Sequence, residues 1–462
     1  MPLPSPATPS SYLPPKVTTF DLSNGITVWY LHSTRVPLTT LRLITDGGAL
    51  FDGPDQAGLA SMTARMLLEG TPSHNALEIA DAFERLAASV SPFATHDTAE
   101  VHLQVLSRNL DPSLALVADL VRNASFPPEE LERVRKIWLS RLQQRGSDPH
   151  EVARLVSSRA FFGDDYAYAQ PLAGFAPTIA SLTAEDLHAF KTTHYRPEHT
   201  RLVIVSDLEQ AALLALLESH LGDWQPDGAA APRTAKATSP LPQARREPAL
   251  VLVHKAEAPQ SLIRILLPGR ASGDPALAGL DLINTVFGGA FTSRLMQNLR
   301  EDKGYTYGAR SQFNSARHDG IFVASAAVDT EATGPALKEF LYEFGRLASG
   351  DLSEAELLRA KASRSAELAQ TFESQDGALA TYASLASARL PAETLHGWIS
   401  AAEAYDLEQI NALSQEITRL DQAVIVVVGD LHAIAPQLEG LGLPTPEYRD
   451  AEGQPCAAPS AP

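Results

Sequence analysis

Histidine and carboxylate spacing supplies the first candidates for chemistry. The chain holds 13 histidines. His96, Glu100 and His102 fall at even spacing around a stretch, Thr98 to Leu106, that alternates polar and apolar residues. On a β-strand, even spacing puts side chains on one face. Two imidazoles and a carboxylate form a legitimate zinc set. The same alternation also describes the solvent-facing side of an ordinary strand, and that is the expectation for this one. His188, His194 and His199 surround a helix end and the loop before a buried strand, and read as surface or capping residues. The single cysteine, Cys456, excludes intrachain disulfides and a thiolate zinc site. It lies in an Ala/Pro-rich tail and reads as a bystander, not a nucleophile.

The elements that must position such residues come from a repeat. Ala57-Gly58-Leu59 recurs 221 residues later as Ala278-Gly279-Leu280, and Asp186-Leu187 recurs 220 later as Asp406-Leu407. Glu130-Leu131 recurs 226 later as Glu356-Leu357. The apolar run Leu202 to Leu208 recurs as Ile425 to Leu431, with Asp207 and Asp430 separated by 223. Four matches in one order at nearly one offset imply two similar halves, although 462 residues by themselves suggest about three domains. The expected organisation is a disordered head over 1–16, an N-terminal half over 17–224 and a linker over 225–248. A C-terminal half follows over 249–432, and then an extension over 433–462 that is mostly disordered at its end. Strands read over 25–31, 38–44 and 98–106, and helices over 58–69, 74–88, 112–123, 128–145 and 150–161. This order gives an α+β fold in which each half is an antiparallel-rich sheet packed with helices. The net charge of −18 argues against wrapping nucleic acid or coating an anionic membrane. No apolar run reaches the length of a membrane helix. The start, Met-Pro-Leu-Pro-Ser-Pro, lacks the basic and apolar regions of a signal peptide. A cytoplasmic location is therefore expected, or a periplasmic or exported one if a leader has been removed.

Two stretches carry a resemblance. One runs from Gly58 to Gly70, and the other from Gly288 through Arg300-Glu301-Asp302-Lys303-Gly304-Tyr305-Thr306-Tyr307. Both resemble the insulinase/pitrilysin family of zinc peptidases, in the small-chain branch that includes mitochondrial processing peptidase and bacterial relatives. Leu22 to Ile26, Phe161 to Asp164, Tyr195-Arg196-Pro197 and Ala258 to Ser261 add to it. The resemblance implies that the chain forms one half of a clamshell that closes around unfolded peptides. It also implies an inverted H-x-x-E-H zinc motif, with two imidazoles one helical turn apart, a glutamate that activates water and a further glutamate from a later helix. Here the first histidine position is Ser61, the base position is Ala64 and the second histidine position is Arg65. The distal glutamate position falls at Val134, or at the neighbouring Glu132 in a shifted register. No metal is expected in this chain. Arg65 is expected to pair with Glu69 on a solvated helix face. In the family, the strand before the alternating stretch pairs with substrate, and here Pro92 would weaken that pairing.

The second stretch keeps its equipment. The resemblance assigns Arg300 and Tyr307 to substrate in the opposite half of the clamshell. Arginine offers rigid donors to peptide carbonyls, and a tyrosine hydroxyl can donate to an oxyanion. Gly304 is expected to end a helix in a left-handed turn. Tyr305 and Tyr307 are expected to share one face of the strand that follows, with Tyr305 as the fallback. Gly288-Gly289 reads as a tight turn before the helix carrying Ser293 and Arg294. The leading expectation is a non-catalytic subunit whose zinc-bearing H-x-x-E-H partner cleaves peptides. Two alternatives stand beside it. One is a zinc-free homodimer that binds peptides or acts as a scaffold. The other is an autonomous metallopeptidase with a relocated metal site.

Overall fold

The computed structural model describes residues 12–53, 55–226, 228 and 247–459. Its strands are β1 (Thr18–Asp21), β2 (Thr27–His32), β3 (Leu38–Thr45), β4 (Ser89–Ala94), β5 (Ala99–Leu106) and β6 (Thr200–Ser206) in the first half. The second half contributes β7 (Ala249–His254), β8 (Gln260–Pro268), β9 (Ala309–Ser315), β10 (Gly320–Asp329), β11 (Val424–Gly429) and β12 (Pro446–Tyr448). Two six-stranded sheets result, in the orders β1-β2-β6-β3-β5-β4 and β12-β7-β11-β8-β10-β9. The repeat is therefore visible strand by strand, with β12 taking the place of β1. The β2–β6, β7–β11 and β7–β12 pairs are parallel and the remaining pairs antiparallel. This is the expected α+β architecture of two similar halves.

Each sheet has one face covered by helices of its own half. In the first half, Leu41, Leu43, Val101, Leu103 and Ile204 pack with Met62, Val117, Leu131 and Val134. The opposite faces are covered by exchange. Helix Gln375–Ser387 of the second half lays Leu379, Tyr382 and Ala383 on Trp29, Ile44, Val203 and Val205 of the first sheet. Helix Pro149–Phe162 of the first half lays Val152, Val156 and Phe161 on Val251, Leu266 and Val426 of the second. Both central strands are consequently buried on both sides, which is why β6 and β11 read as continuous apolar runs.

Several boundaries differ from the sequence expectation. The disordered head expected over 1–16 falls partly outside the described residues, but Tyr12 to Lys16 lie against the second half. The Tyr12 N–H donates to Ser365, and Pro15 O accepts from the Tyr382 hydroxyl. The linker expected over 225–248 lies largely outside the described residues. Beyond 432 the chain stays structured: helix Leu431–Leu438 and β12 complete the second sheet's surroundings, and Arg449 bridges Pro455. Arg159 holds this tail through Glu452 O at 2.7 Å. Backbone hydrogen bonds are thus satisfied in a segment whose composition suggested disorder. Cys456 is exposed.

Candidate functional site

The helix to which the resemblance assigns the zinc motif spans Leu59–Met66. Gly58 precedes it at φ +98°, and the N–H groups of Gly58 and Ala60 donate to the Asp52 carboxylate at 2.8 and 2.9 Å. A carboxylate here satisfies free amides and suits the positive end of the helix. Ala64 is buried, while Ser61 and Arg65 are half-buried. Arg65 reaches Glu69 at 2.6 Å. Arg133, on helix Pro128–Arg145, takes the other oxygen of Glu69 and also pairs with Glu130 at 2.6 Å. Glu69 is only 3 % exposed, so the face expected to be solvated is instead a buried carboxylate between two guanidinium groups. Val134 points into the first core, and Glu132 is exposed and paired with Arg135 at 3.0 Å. The positions of the zinc motif therefore offer no imidazole, and two fixed positive charges stand beside them. They do not fit a metal cation.

The second candidate surface follows a helical segment, Met296–Asp302, wound with the wider π spacing. Gly304 ends it at φ +67°, as expected, and the Tyr305 N–H donates to Leu299 O at 2.9 Å. Tyr305 and Tyr307 do not share a strand face, because β9 begins only at Ala309. The Thr306 hydroxyl donates to Ala327 O at 2.6 Å and accepts from the Gly308 N–H at 3.0 Å. That bend turns Tyr305 onto the second core and leaves Tyr307 92 % exposed. Arg300 lies over the Phe291 ring at 4.8 Å and 3.5 Å from Glu301, with Phe291 itself 70 % exposed. The approach to this surface is tight. A Cβ at Gly288 would sit 2.6 Å from the Ser311 nitrogen, and one at Gly289 2.6 Å from the Asn284 amide nitrogen. Ser293 is buried, and buried Arg294 binds Glu356 at 2.7 and 2.9 Å and Asp351 at 2.5 Å. Burial alone would raise the Glu356 carboxyl. The Arg294 hydrogen bonds and the Ser353 N–H and hydroxyl override it and hold the group at about 2.

The repeat relates these two regions. At the offsets read from sequence, Arg65, Glu69 and Arg133 correspond to Val286, Ala290 and Arg359. Those three residues line a cleft of about 810 Å³ with Arg294, Asn298 and Glu343. The ion-pair cluster of the first half thus has an open counterpart in the second.

The histidine candidates do not assemble. His96 lies in the turn before β5 and binds Gln170 O at 3.0 Å. Glu100 and His102 do share a strand face, but the second half covers it: Glu100 is 3 % exposed, accepts from Ser387 at 2.8 Å and sits 3.4 Å from Arg42. His102 contacts Thr40 at 3.1 Å and Asp376 at 3.5 Å. The solvent-facing reading is corrected by helix Gln375–Ser387, which no local spacing announces. His188 caps Ser125 O at 3.1 Å, whereas His194 is buried against Phe51 and Phe190 and is not a surface residue. Pro92 lies in the edge strand β4, opposite Val101. His254, Asp430 and His432 bring ligand atoms within 4.8 Å of one another. Two of them already serve the start of helix Leu431–Leu438. The Leu431 N–H donates to His254 Nδ1 at 3.3 Å, and Asp430 accepts from the His432 and Glu257 N–H groups at 3.1 Å each.

Comparison with known proteins decides the family. The model described as insulinase, peptidase family M16, matches residues 27–173, and that of the peptidase M16 inactive domain matches residues 181–364. The chain belongs to the M16 peptidase family. An uncharacterized zinc protease of Mycobacterium tuberculosis is 25 % identical over 444 residues, covering 96 % of this chain and all of that one. The zinc protease YmxG of Bacillus subtilis is 22 % identical, covering 88 % of this chain and 97 % of its own. Among solved structures, a peptidase M16 inactive domain from Pseudomonas fluorescens superimposes with a TM-score of 0.81 at 26 % identity, over 90 % of this chain and 98 % of that one. A Helicobacter pylori protease shares the fold at a TM-score of 0.82 and 19 % identity, over 90 % and 99 %. Zinc thus enters through the names of M16 relatives, while the motif positions of this M16 chain are unsuited to it. Among the described residues, no helix is long and apolar enough to cross a membrane.

Proposed function

We propose that the chain is a catalytically incomplete subunit of an M16 zinc metalloendopeptidase. A homologous partner with an intact H-x-x-E-H motif supplies the zinc. This chain supplies half of a peptide-binding chamber, together with Arg300 and Tyr307. The observation that supports this reading is Tyr307, which is 92 % exposed and held outward by the Thr306 bend. It contributes little to its own core, and seven residues before it stands Arg300, stacked on the exposed Phe291 ring. A hydroxyl and a guanidinium presented in this way suit a peptide carbonyl and the oxyanion formed when it is attacked. With Ser61, Ala64 and Arg65 at the metal and base positions, the chain depends on the partner for hydrolysis.

The test is affinity purification from native cells, followed by activity of the recovered pair. A one-to-one partner carrying H-x-x-E-H is expected. Arg300→Ala or Tyr307→Phe in this chain should then lower peptide cleavage by about 100-fold, as expected for losing one oxyanion donor, with pairing intact. Recovery only as a zinc-free self-associated species would instead identify a peptide-binding or scaffolding homodimer.

A further inference from the structure

Between the two halves, β8 and β9 face helix Pro149–Phe162 across a cavity of about 540 Å³. Arg264, Arg154, Arg145 and His96 line it, and Asp319 is the one acid among its lining residues. Asp319 already accepts from the Gly320 N–H at 2.7 Å, and burial pushes its carboxyl up, toward the neutral form. In a chain of net charge −18, three arginines line this one cleft, of which Arg154 is exposed and paired with Glu151 at 2.6 Å.

Arg264 is the informative residue. Its Nε donates to the Ser157 hydroxyl at 3.0 Å. Neither terminal nitrogen has a hydrogen-bond acceptor, and the side chain has no ion pair, among the described residues. Burial and the nearby Arg154 charge push its guanidinium down to about 10. An uncompensated charge in such a place is costly.

The repeat supplies an internal control. Arg264 stands opposite Ser325 and Val426, as Arg42 stands opposite His102 and Val203 in the first half. Arg42 has a carboxylate partner, Glu100, at 3.4 Å on the neighbouring strand. Glu100 lies opposite Ile44, two residues beyond Arg42, and the corresponding residue opposite Leu266 is Val323. The second half has kept the arginine, lost the acid and gained a cavity.

We propose that this cavity binds a carboxylate group carried by a ligand, with the free edge of the Arg264 guanidinium as bidentate donor and Arg145 as a flanking charge. The planar fork of arginine matches a carboxylate by two parallel hydrogen bonds. The carboxylate can come from a small free acid or from the C-terminus of a peptide. The proposal is independent of the roles given to Arg300 and Tyr307.

The experiment measures binding and melting of the full chain at pH 7 and low salt. The probes are succinate, inorganic phosphate, and one hexapeptide made with a free C-terminal carboxylate and with a C-terminal amide. Succinate or the free-acid peptide is expected to bind and to raise the melting temperature, and the amide to bind at least about tenfold more weakly than the acid where the peptide is the source. Arg264→Met should abolish the response while melting no lower than the unliganded parent. Val323→Glu, which rebuilds the pair of the first half, should also abolish it and should raise the melting temperature. A response to succinate alone assigns the site to a free acid, and one to the peptide acid alone assigns it to a chain terminus. Silence toward every carboxylate at about 10 mM, a ligand weaker than any specific site, would overturn the proposal. So would a preference for phosphate, or binding that survives Val323→Glu.

Discussion

At the scale of the residue, the positions where the resemblance would place a zinc motif border a cluster of ion pairs. Glu69 is buried in the turn after helix Leu59–Met66, and it holds Arg65 from that helix and Arg133 from helix Pro128–Arg145. The three side chains tie together the two helices between which the resemblance would place a metal. Removing the carboxylate leaves two guanidinium groups converging without their shared anion, the costly half of a broken ion pair. Because both arginines are partly exposed, the penalty is reduced from the fully buried case. Glu69→Gln is expected to destabilise the chain by about 2 kcal/mol, read as a lower urea midpoint with unchanged slope. Arg65→Ala should cost less, since Arg133 still serves Glu69. That Ser61, Ala64 and Arg65 supply no imidazole or carboxylate is read directly from the sequence. The Arg65–Glu69 pairing was legible too, from helical spacing. Its burial was not, because Arg133 comes from a helix 64 residues away.

At the scale of the element, local rules predicted most helices and strands, and they failed where a tertiary bond intervened. The helix read over 128–145 appears as Pro128–Arg145, started by its proline. The Gly58 and Gly279 match has two different physical reasons. Gly58 adopts a left-handed conformation before its helix, whereas Gly279 lies inside helix Leu277–Asn284, where a Cβ would meet Tyr405 at 2.6 Å. The Asp186–Asp406 match is similarly displaced: Asp406 is the N-cap of its helix, and its structural counterpart is the N-cap Thr183. Tyr305 and Tyr307 parted because Thr306 bonds to β10, a contact that alternation cannot reveal. Helix Glu354–Thr371 carries a prediction at this scale. Its capping box pairs Ser353 with Glu356, and Glu356 also anchors Arg294 from the segment that leads to Arg300. The folded carboxyl is held at about 2 against an ordinary 4.5. A depressed carboxyl contributes stability that is complete above its unfolded value and fades as pH falls through the folded one. Stability should therefore decline from about pH 4.5 toward pH 2. Glu356→Gln should lower stability at pH 7 and flatten that part of the curve, as measured by urea unfolding across the pH range.

At the scale of the whole molecule, the two halves are a repeat in sequence and a single unit in packing. Sequence exposes the repeat, and the continuous apolar runs of β6 and β11 signal that both faces of each sheet are covered. It does not say by what, because helices Gln375–Ser387 and Pro149–Phe162 each pack on the sheet of the other half. Charge reinforces the exchange. Asp46 of the first half binds Arg317 at 2.9 Å and Arg389 at 3.1 Å from the second. Burial alone would raise the Asp46 carboxyl, yet these arginines hold it below its ordinary value. Separating the halves would uncover Trp29, Leu31, Ile44, Val203 and Val205 on the first sheet. At about 1.5–3 kcal/mol for each large side chain, that exposure rivals the net stability of a typical domain. A fragment of residues 1–228 expressed alone is therefore expected to remain unfolded or aggregated, despite having a complete sheet and its own core. Coexpressed with 229–462, it should form a soluble one-to-one complex that melts in a single transition. Asp46→Asn should weaken that complex more than it weakens the intact chain, in which the halves are tethered. Independent folding of both fragments, with separate melting transitions in the intact chain, would mean that the exchanged helices do not govern the stability of the sheets they cover.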